Sequence, residues 1–213
     1  MKVESRTVGA FQENAYLVVD ETTNRAVLID PGAEPERLLA MLRDSGAVLD
    51  AVWLTHAHID HIGAVTAIRR FAPVPVHLHP ADLPLYARAS VQAAAYGIAF
   101  TQPDPPDAEL ADGDTLSVGT LRFDVLHVPG HAPGHVAFRH GTVVLSGDVL
   151  FAGSIGRTDL PLSDPARMEE SLARLCELDD ATVVYPGHGP ATTIGRERAT
   201  NAFLTGAARI VRR

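Results

Sequence analysis

Three histidines and one aspartate fall within six residues, in Thr55-His56-Ala57-His58-Ile59-Asp60-His61. His56 and His58 are two positions apart, so in an extended segment their side chains leave on the same side. Both imidazoles can then reach one metal ion at about 2.0–2.1 Å. Asp60 and His61 fall where a helix begins, and the change in backbone direction aims them elsewhere. An acid in the first turn is also favoured by the helix dipole. The segment therefore offers two donor pairs aimed at neighbouring points. It follows the apolar run Val52-Trp53-Leu54, which a chance surface cluster of histidines would not need.

Three further donors stand in matching contexts. His131 lies in Val128-Pro129-Gly130-His131, Asp148 in Leu145-Ser146-Gly147-Asp148, and His188 in Val184-Tyr185-Pro186-Gly187-His188. Each follows a β-type run and has a glycine beside it, where the backbone can crowd a site. Sites in layered α/β proteins form at such strand ends. One such donor is a weak signal; four strand-end sets in one chain point to metal. The remaining histidines read as structural. His135 braces a neighbour or packs in a strand, His77 and His79 flank a strand end before Pro80, and His127 and His140 carry no signal. Cys176, the single cysteine, follows Met168 and Leu172 at steps of four. It reads as part of an apolar helix face and not as a nucleophile.

The elements that must hold these donors can be placed from pattern. Three β-type runs open the chain, Val3–Gly9, Asn14–Asp20 and Arg25–Asp30, with a turn between the last two. A helix is expected from Pro35 with Gly46 as its C-cap. Ala51–Leu54 is a short buried strand. His61, Ala64, Val65 and Ile68 then mark one helix face, and Val76–Leu78 is a further strand. Ala81–Ala95 reads as helix and Thr101–Asp107 as loop. Strands return at Thr115–Val118, Leu121–Val128, Val136–Phe138 and Thr142–Ser146. Asp164-Pro165 is an N-cap with proline at N1, opening a helix to about Leu178. Thr182–Tyr185 is a strand, and a last amphipathic helix spans about Gly195–Val211 with Phe203, Leu204, Ala207 and Ile210 inward. Two packed sheets with helices on both outer faces, four layers in all, would satisfy this order.

Composition narrows the function. The 213 residues are 46% hydrophobic and carry a formal net charge of −8. One domain is expected. No basic stripe invites a nucleic acid, and no apolar run approaches the roughly 20 residues of a membrane span. The N-terminus shows no signal-peptide pattern, and a single cysteine suits a reducing compartment. These point to a cytoplasmic protein acting on a small molecule, with its oligomeric state unread.

The set H-x-H-x-D-H, a distant Pro-Gly-His, Gly-Asp and a late Gly-His resembles the metallo-β-lactamase-fold hydrolases, from about Phe11-Gln12-Glu13-Asn14-Ala15-Tyr16 to His188. Phe151-Ala152-Gly153-Ser154-Ile155-Gly156-Arg157-Thr158-Asp159 looks like the small glyoxalase II-like branch. The resemblance implies an αββα sandwich, α/β in class, with two mixed sheets flanked by helices. It implies that His56, His58 and His131 hold one metal, that Asp60, His61 and His188 hold a second, and that Asp148 bridges. Two divalent ions are expected, zinc first, with iron or manganese as alternatives. A bridging hydroxide would then attack a thioester of the hydroxyacylglutathione type. Such ion pairs, about 3.5–4 Å apart, lower the pKa of water to about 7, and Asp60 would orient it. Arg157 and Tyr185 are candidates for substrate contact, Arg157 as a clamp or as a brace through Asp159.

Three departures qualify the resemblance. Full-length glyoxalase II continues into a helical region that helps hold glutathione, whereas residues 1–213 read as one domain without it. Leu160-Pro161-Leu162 stands where this branch usually has a Gly-Gly pair. Lactamases of this fold generally lack a histidine after the motif aspartate, which sets His61 against an antibiotic substrate. Two other readings remain open. One is a persulfide dioxygenase with one iron on His56, His131 and Asp148; the other is a metal-binding protein without turnover.

Overall fold

A computed structural model describes residues 1–210. The first sheet has the order β1-β2-β3-β4-β5-β6: Lys2–Val8, Glu13–Asp20, Arg25–Ile29, Val48–Trp53, Val76–Leu78 and Ala108–Glu109. Its first three strands form the expected antiparallel meander, and β3 to β6 run parallel. Between them lie α1 (Pro35–Ser45), α2 (Ile59–Ile62), α3 (Val65–Phe71), α4 (Leu83–Ala87) and α5 (Ala89–Ala95). The second sheet holds β7 (Thr115–Val118), β8 (Leu121–His127), β9 (Val136–His140) and β10 (Val143–Gly147). After a small hairpin of β11 (Leu150–Phe151) and β12 (Ser154–Ile155) and the helix α6 (Pro165–Leu175), β13 (Val183–Pro186) joins β10 in parallel. β14 (Thr192–Thr193) closes that edge and leads into α7 (Ile194–Thr200).

Three apolar clusters sit between the four layers. One packs α1, α3, α4 and α5 on the first sheet through Leu17, Leu28, Leu38, Met41 and Ile68. The second fills the space between the sheets. There Trp53 meets Phe123 and Phe138 with ring centroids 5.4 and 5.2 Å apart. The third seats α6 and α7 on the second sheet through Val144, Val184, Met168, Leu172 and Ile194. These are the three seams of an αββα sandwich.

Three expected helices differ. The helix carrying His61 breaks at Gly63-Ala64, because the Ala64 N–H donates to Pro31 O at 2.9 Å instead of continuing its own helix. Residues 80–95 are a 3₁₀ turn at Pro80–Asp82 followed by α4 and α5, which part at Arg88. The last helix stops at Thr200. Buried Asn201 takes an extended backbone and spends its side-chain amide on Ser154 O at 3.0 Å and Glu197 Oε2 at 2.9 Å. Phe203, Leu204 and Ile210 still pack half-buried on the third cluster, but Ala207 is exposed. Val211, where that helix was expected to end, lies outside the described residues. Cys176 caps α6, half-buried.

Candidate metal centre

All seven candidate ligands lie at one edge of the sandwich, beyond the C-terminal ends of strands. His56, His58, Asp60 and His61 follow β4, His131 follows β8, Asp148 follows β10 and His188 follows β13. Parallel pairing of β10 with β13 aligns Gly147 with Pro186, which puts Asp148 and His188 side by side. Glycine is required here. A Cβ on Gly187 would lie 2.1 Å from Asp148 Oδ1, and one on Gly156 would lie 1.9 Å from the Asp148 carbonyl.

His56, His58 and His131 each bring one donor atom within 4.8 Å of the others, and so do Asp60, His61 and His188. Asp148 stands between the two triads. Its Oδ2 is 3.5 Å from His131 Nε2 and 3.3 Å from His188 Nε2, and its Oδ1 is 3.5 Å from His61 Nε2. Asp30 groups with His56 and His61 as well, but its oxygens are occupied. Oδ1 accepts from the Thr55 N–H at 2.7 Å. Oδ2 accepts from Thr55 Oγ1 at 2.6 Å and meets His61 Nδ1 at 3.0 Å. Asp30 therefore orients the ring of His61.

The donors suit a cation. His56 Nε2, His58 Nε2, His61 Nε2 and Asp148 Oδ1 are buried with no hydrogen-bond partner, an expensive condition for polar atoms. His131 Nδ1 faces Arg157 O at 2.9 Å and His61 Nδ1 faces the Asp30 carboxylate. Both acceptors hold a proton on Nδ1 and turn Nε2 toward the site, where His131 Nε2 lies 2.9 Å from His58 Nδ1. Ionisation divides the site. Burial, with other histidines adding, holds His56 well below its ordinary value and takes His58 down to about 3. Burial also lowers His131. His61 is raised: burial opposes this, but Asp148 and Asp30 outweigh it. His188 is likewise pushed up to about 9, against burial, by hydrogen bonds to Asp148 and Asp60.

Several further residues build the site. Asp82 is buried and joins two ligand loops, accepting from the Ala57 N–H at 2.9 Å and the Gly134 N–H at 2.5 Å. His135 Nε2 accepts from the Asp148 N–H at 2.9 Å, and its ring stacks on His56, which is the bracing expected of it. Asn14 Nδ2 and Tyr16 Oη donate to Pro186 O and pin the last ligand loop to the first sheet. Glu13 is buried with neither carboxylate oxygen paired, and burial pushes it well above the carboxylate range. His79 and His127 stack on each other at 4.3 Å, away from the ligands.

The donors open onto a cleft of about 220 Å³, walled also by Phe11, Gln92, Tyr96, Phe151, Arg157 and Leu160. Arg157 is largely exposed and doubly bonded to Asp159, Nε to Oδ1 at 2.8 Å and Nη2 to Oδ2 at 2.9 Å. Tyr185 is not among the cleft-lining residues; its ring packs edge-on against Tyr16 at 5.6 Å.

The sequence pattern of the metallo-β-lactamase superfamily matches residues 8–188. The chain belongs to that superfamily. It is 37% identical to hydroxyacylglutathione hydrolase GloC of Haemophilus influenzae, over 96% of this chain and 98% of that one. A crystal structure of TTHA1623 in a di-iron-bound form is 50% identical and superposes with a TM-score of 0.88, covering 94% of this chain and all of the other. The structure of BLEG-1, described as a B3 metallo-β-lactamase, is 39% identical with a TM-score of 0.90 over 96% of this chain and all of that one. This superfamily member is thus a metal-binding hydrolase of αββα architecture. Among its described residues no helix is long and apolar enough to cross a membrane.

Proposed function

We propose that residues 1–213 form one cytoplasmic domain that hydrolyses thioesters of the hydroxyacylglutathione type with two divalent metal ions. The observation that carries the reading is the place of Asp148, within 3.5 Å of histidines from both triads. His56, His58 and His131 hold one ion, Asp60, His61 and His188 the other, and Asp148 both. The likeness to GloC supports the thioester class. When bound, the ions supply hydroxide at neutral pH and polarise the carbonyl.

The chain's own groups do the rest. Asp60 is 19% exposed to the cleft and held 3.4 Å from His188 Nε2. It accepts a hydrogen bond from the attacking water and fixes its direction. Its carboxyl stays below the usual range: burial opposes this, but His61 and His188 prevail, so it is ionised for that role. A departing thiolate has a pKa near about 8.5 and needs little acid help, which agrees with a cleft built around basic and metal-binding groups. Arg157, at the cleft wall, meets an anionic substrate tail once it parts from Asp159.

The test is an anaerobic assay of the metal-loaded protein on lactoylglutathione, with glutathione persulfide in air and a β-lactam as parallel substrates. Hydrolysis of the thioester, with kcat/KM of at least about 10⁴ M⁻¹s⁻¹, is expected. Oxygen consumption with the persulfide, or β-lactam cleavage with no thioester turnover, would overturn the reading.

A further inference from the structure

A second hollow of about 270 Å³ lies against the metal cleft, and Phe11, Ile59 and Asp60 line both. Its wall is apolar: Val8, Ala33, Ile98 and Phe100 face it beside Phe11 and Ile59. None of its lining residues is a cation. The acid at its rim, Glu34, is already engaged, bonded to Arg37 and accepting from the Gly9 N–H at 3.2 Å. Its carboxyl is held below the ordinary range first by Arg37 and then by Gly9, so its charge is already met by Arg37 and it offers a ligand no cation. Over the shared wall Phe11 meets Tyr96 edge-on, with ring centroids 5.4 Å apart and both rings exposed. The two hollows therefore differ in chemistry. The metal cleft offers Gln92 and Arg157; its neighbour offers hydrocarbon and no cation.

We propose that this second hollow receives the acyl chain of the substrate, and that the preferred substrates are thioesters of apolar carboxylic acids longer than lactate. The inference rests on the thioester reading above. A substrate whose carbonyl lies at Asp60 has two arms. The charged thiol carrier meets no cation among the apolar residues of the hollow and is drawn toward Arg157 in the metal cleft. The acyl arm leaves across Ile59 and Phe11 into the apolar pocket. Water adds oxygen to the carbonyl carbon, the C–S bond breaks, and the two protons of water end on the acid and the thiol. Each methylene that leaves water for the hollow strengthens binding by roughly fourfold.

The experiment compares acetyl-, butyryl-, hexanoyl- and lactoylglutathione on the metal-loaded protein. The expected result is a kcat/KM that climbs by roughly fourfold per methylene until the hollow is full, with lactoyl near the short end. Ala99 lies on the exposed loop that walls the hollow. Ala99→Phe should bring the hexanoyl-to-acetyl ratio close to one, and Phe100→Ala should move the optimum to a longer chain. A readout free of turnover is the backbone amide NMR spectrum during titration with hexanoate or acetate. Hexanoate should shift residues 98–100 and acetate should not. A flat acyl series, with lactoylglutathione still cleaved, overturns the acyl pocket and leaves thioester hydrolysis standing. Cleavage of no thioester overturns both.

Discussion

At the scale of single residues, the centre is governed by which nitrogen of each imidazole carries its proton. His131 and His61 spend Nδ1 on a backbone carbonyl and a carboxylate, so each offers Nε2 inward. The two triads then differ in charge: the first is neutral by burial, while His61 and His188 are raised by the carboxylates around them. With its value near 9, His188 is protonated at pH 7 in the metal-free protein, and His61 is shifted in the same direction by Asp148 and Asp30 against burial. A divalent ion must displace those protons. Metal uptake at pH 7 is therefore expected to release protons, and affinity to weaken as pH falls. Calorimetry in two buffers of different ionisation enthalpy measures this, and identical heats in both would contradict it. The seven candidate ligands, which the structure brings to one edge, stood out in the sequence because each carries a local mark: a two-residue spacing, or a glycine beside a strand end. Asp30 and Asp82 were not. Their bonds go to backbone or side-chain groups 25 or more residues away, and no spacing rule reaches that far.

At the scale of elements, the ligand loops are held by what lies behind them. α6 begins at Asp164, whose side chain accepts from the Ala166 and Arg167 N–H groups at 2.8 and 3.1 Å. The same helix sends Ser171 Oγ to Pro129 O at 2.6 Å, beneath His131. Asp164→Ala should cost about 1 kcal/mol and lower Tm by about 2–4 °C; calorimetric scanning checks it, and an unchanged Tm would remove the cap from the account. Asp82 ties the His56–His58 loop to the His131 loop, and burial pushes its carboxyl up to about 6 against the hydrogen bonds it accepts. Asp82→Asn turns a donor toward a backbone N–H, which should cost about 1–3 kcal/mol and weaken metal binding in the first triad. Urea unfolding and competition with a chelator read the two effects. The longer strands and the caps Gly46 and Asp164 followed from pattern, since alternation and capping are local; the two-residue strands β6, β11, β12 and β14 did not. The broken helices did not: apolar periodicity runs through 59–71 and past 201, while the break comes from Pro31 O and from the Asn201 side chain, which belong to tertiary structure.

At the scale of the whole molecule, two apolar seams fasten helices to sheets and a third joins the sheets. Layer order could be read from the sequence because strand runs and helix stripes alternate in blocks. Which strand ends meet could not, because that depends on the parallel pairing of β10 with β13 across the excursion through α6. That pairing is what gathers ligands from segments as distant as His56 and His188 around one carboxylate. The central claim is that Asp148 serves two ions at once. Its direct test is metal content per chain, by elemental analysis, of the wild-type protein and of Asp148→Ala after equal exposure to metal and gel filtration. The account predicts two ions in the wild type and loss of both in the variant; a variant that keeps two, or a wild type that saturates at one, would contradict it.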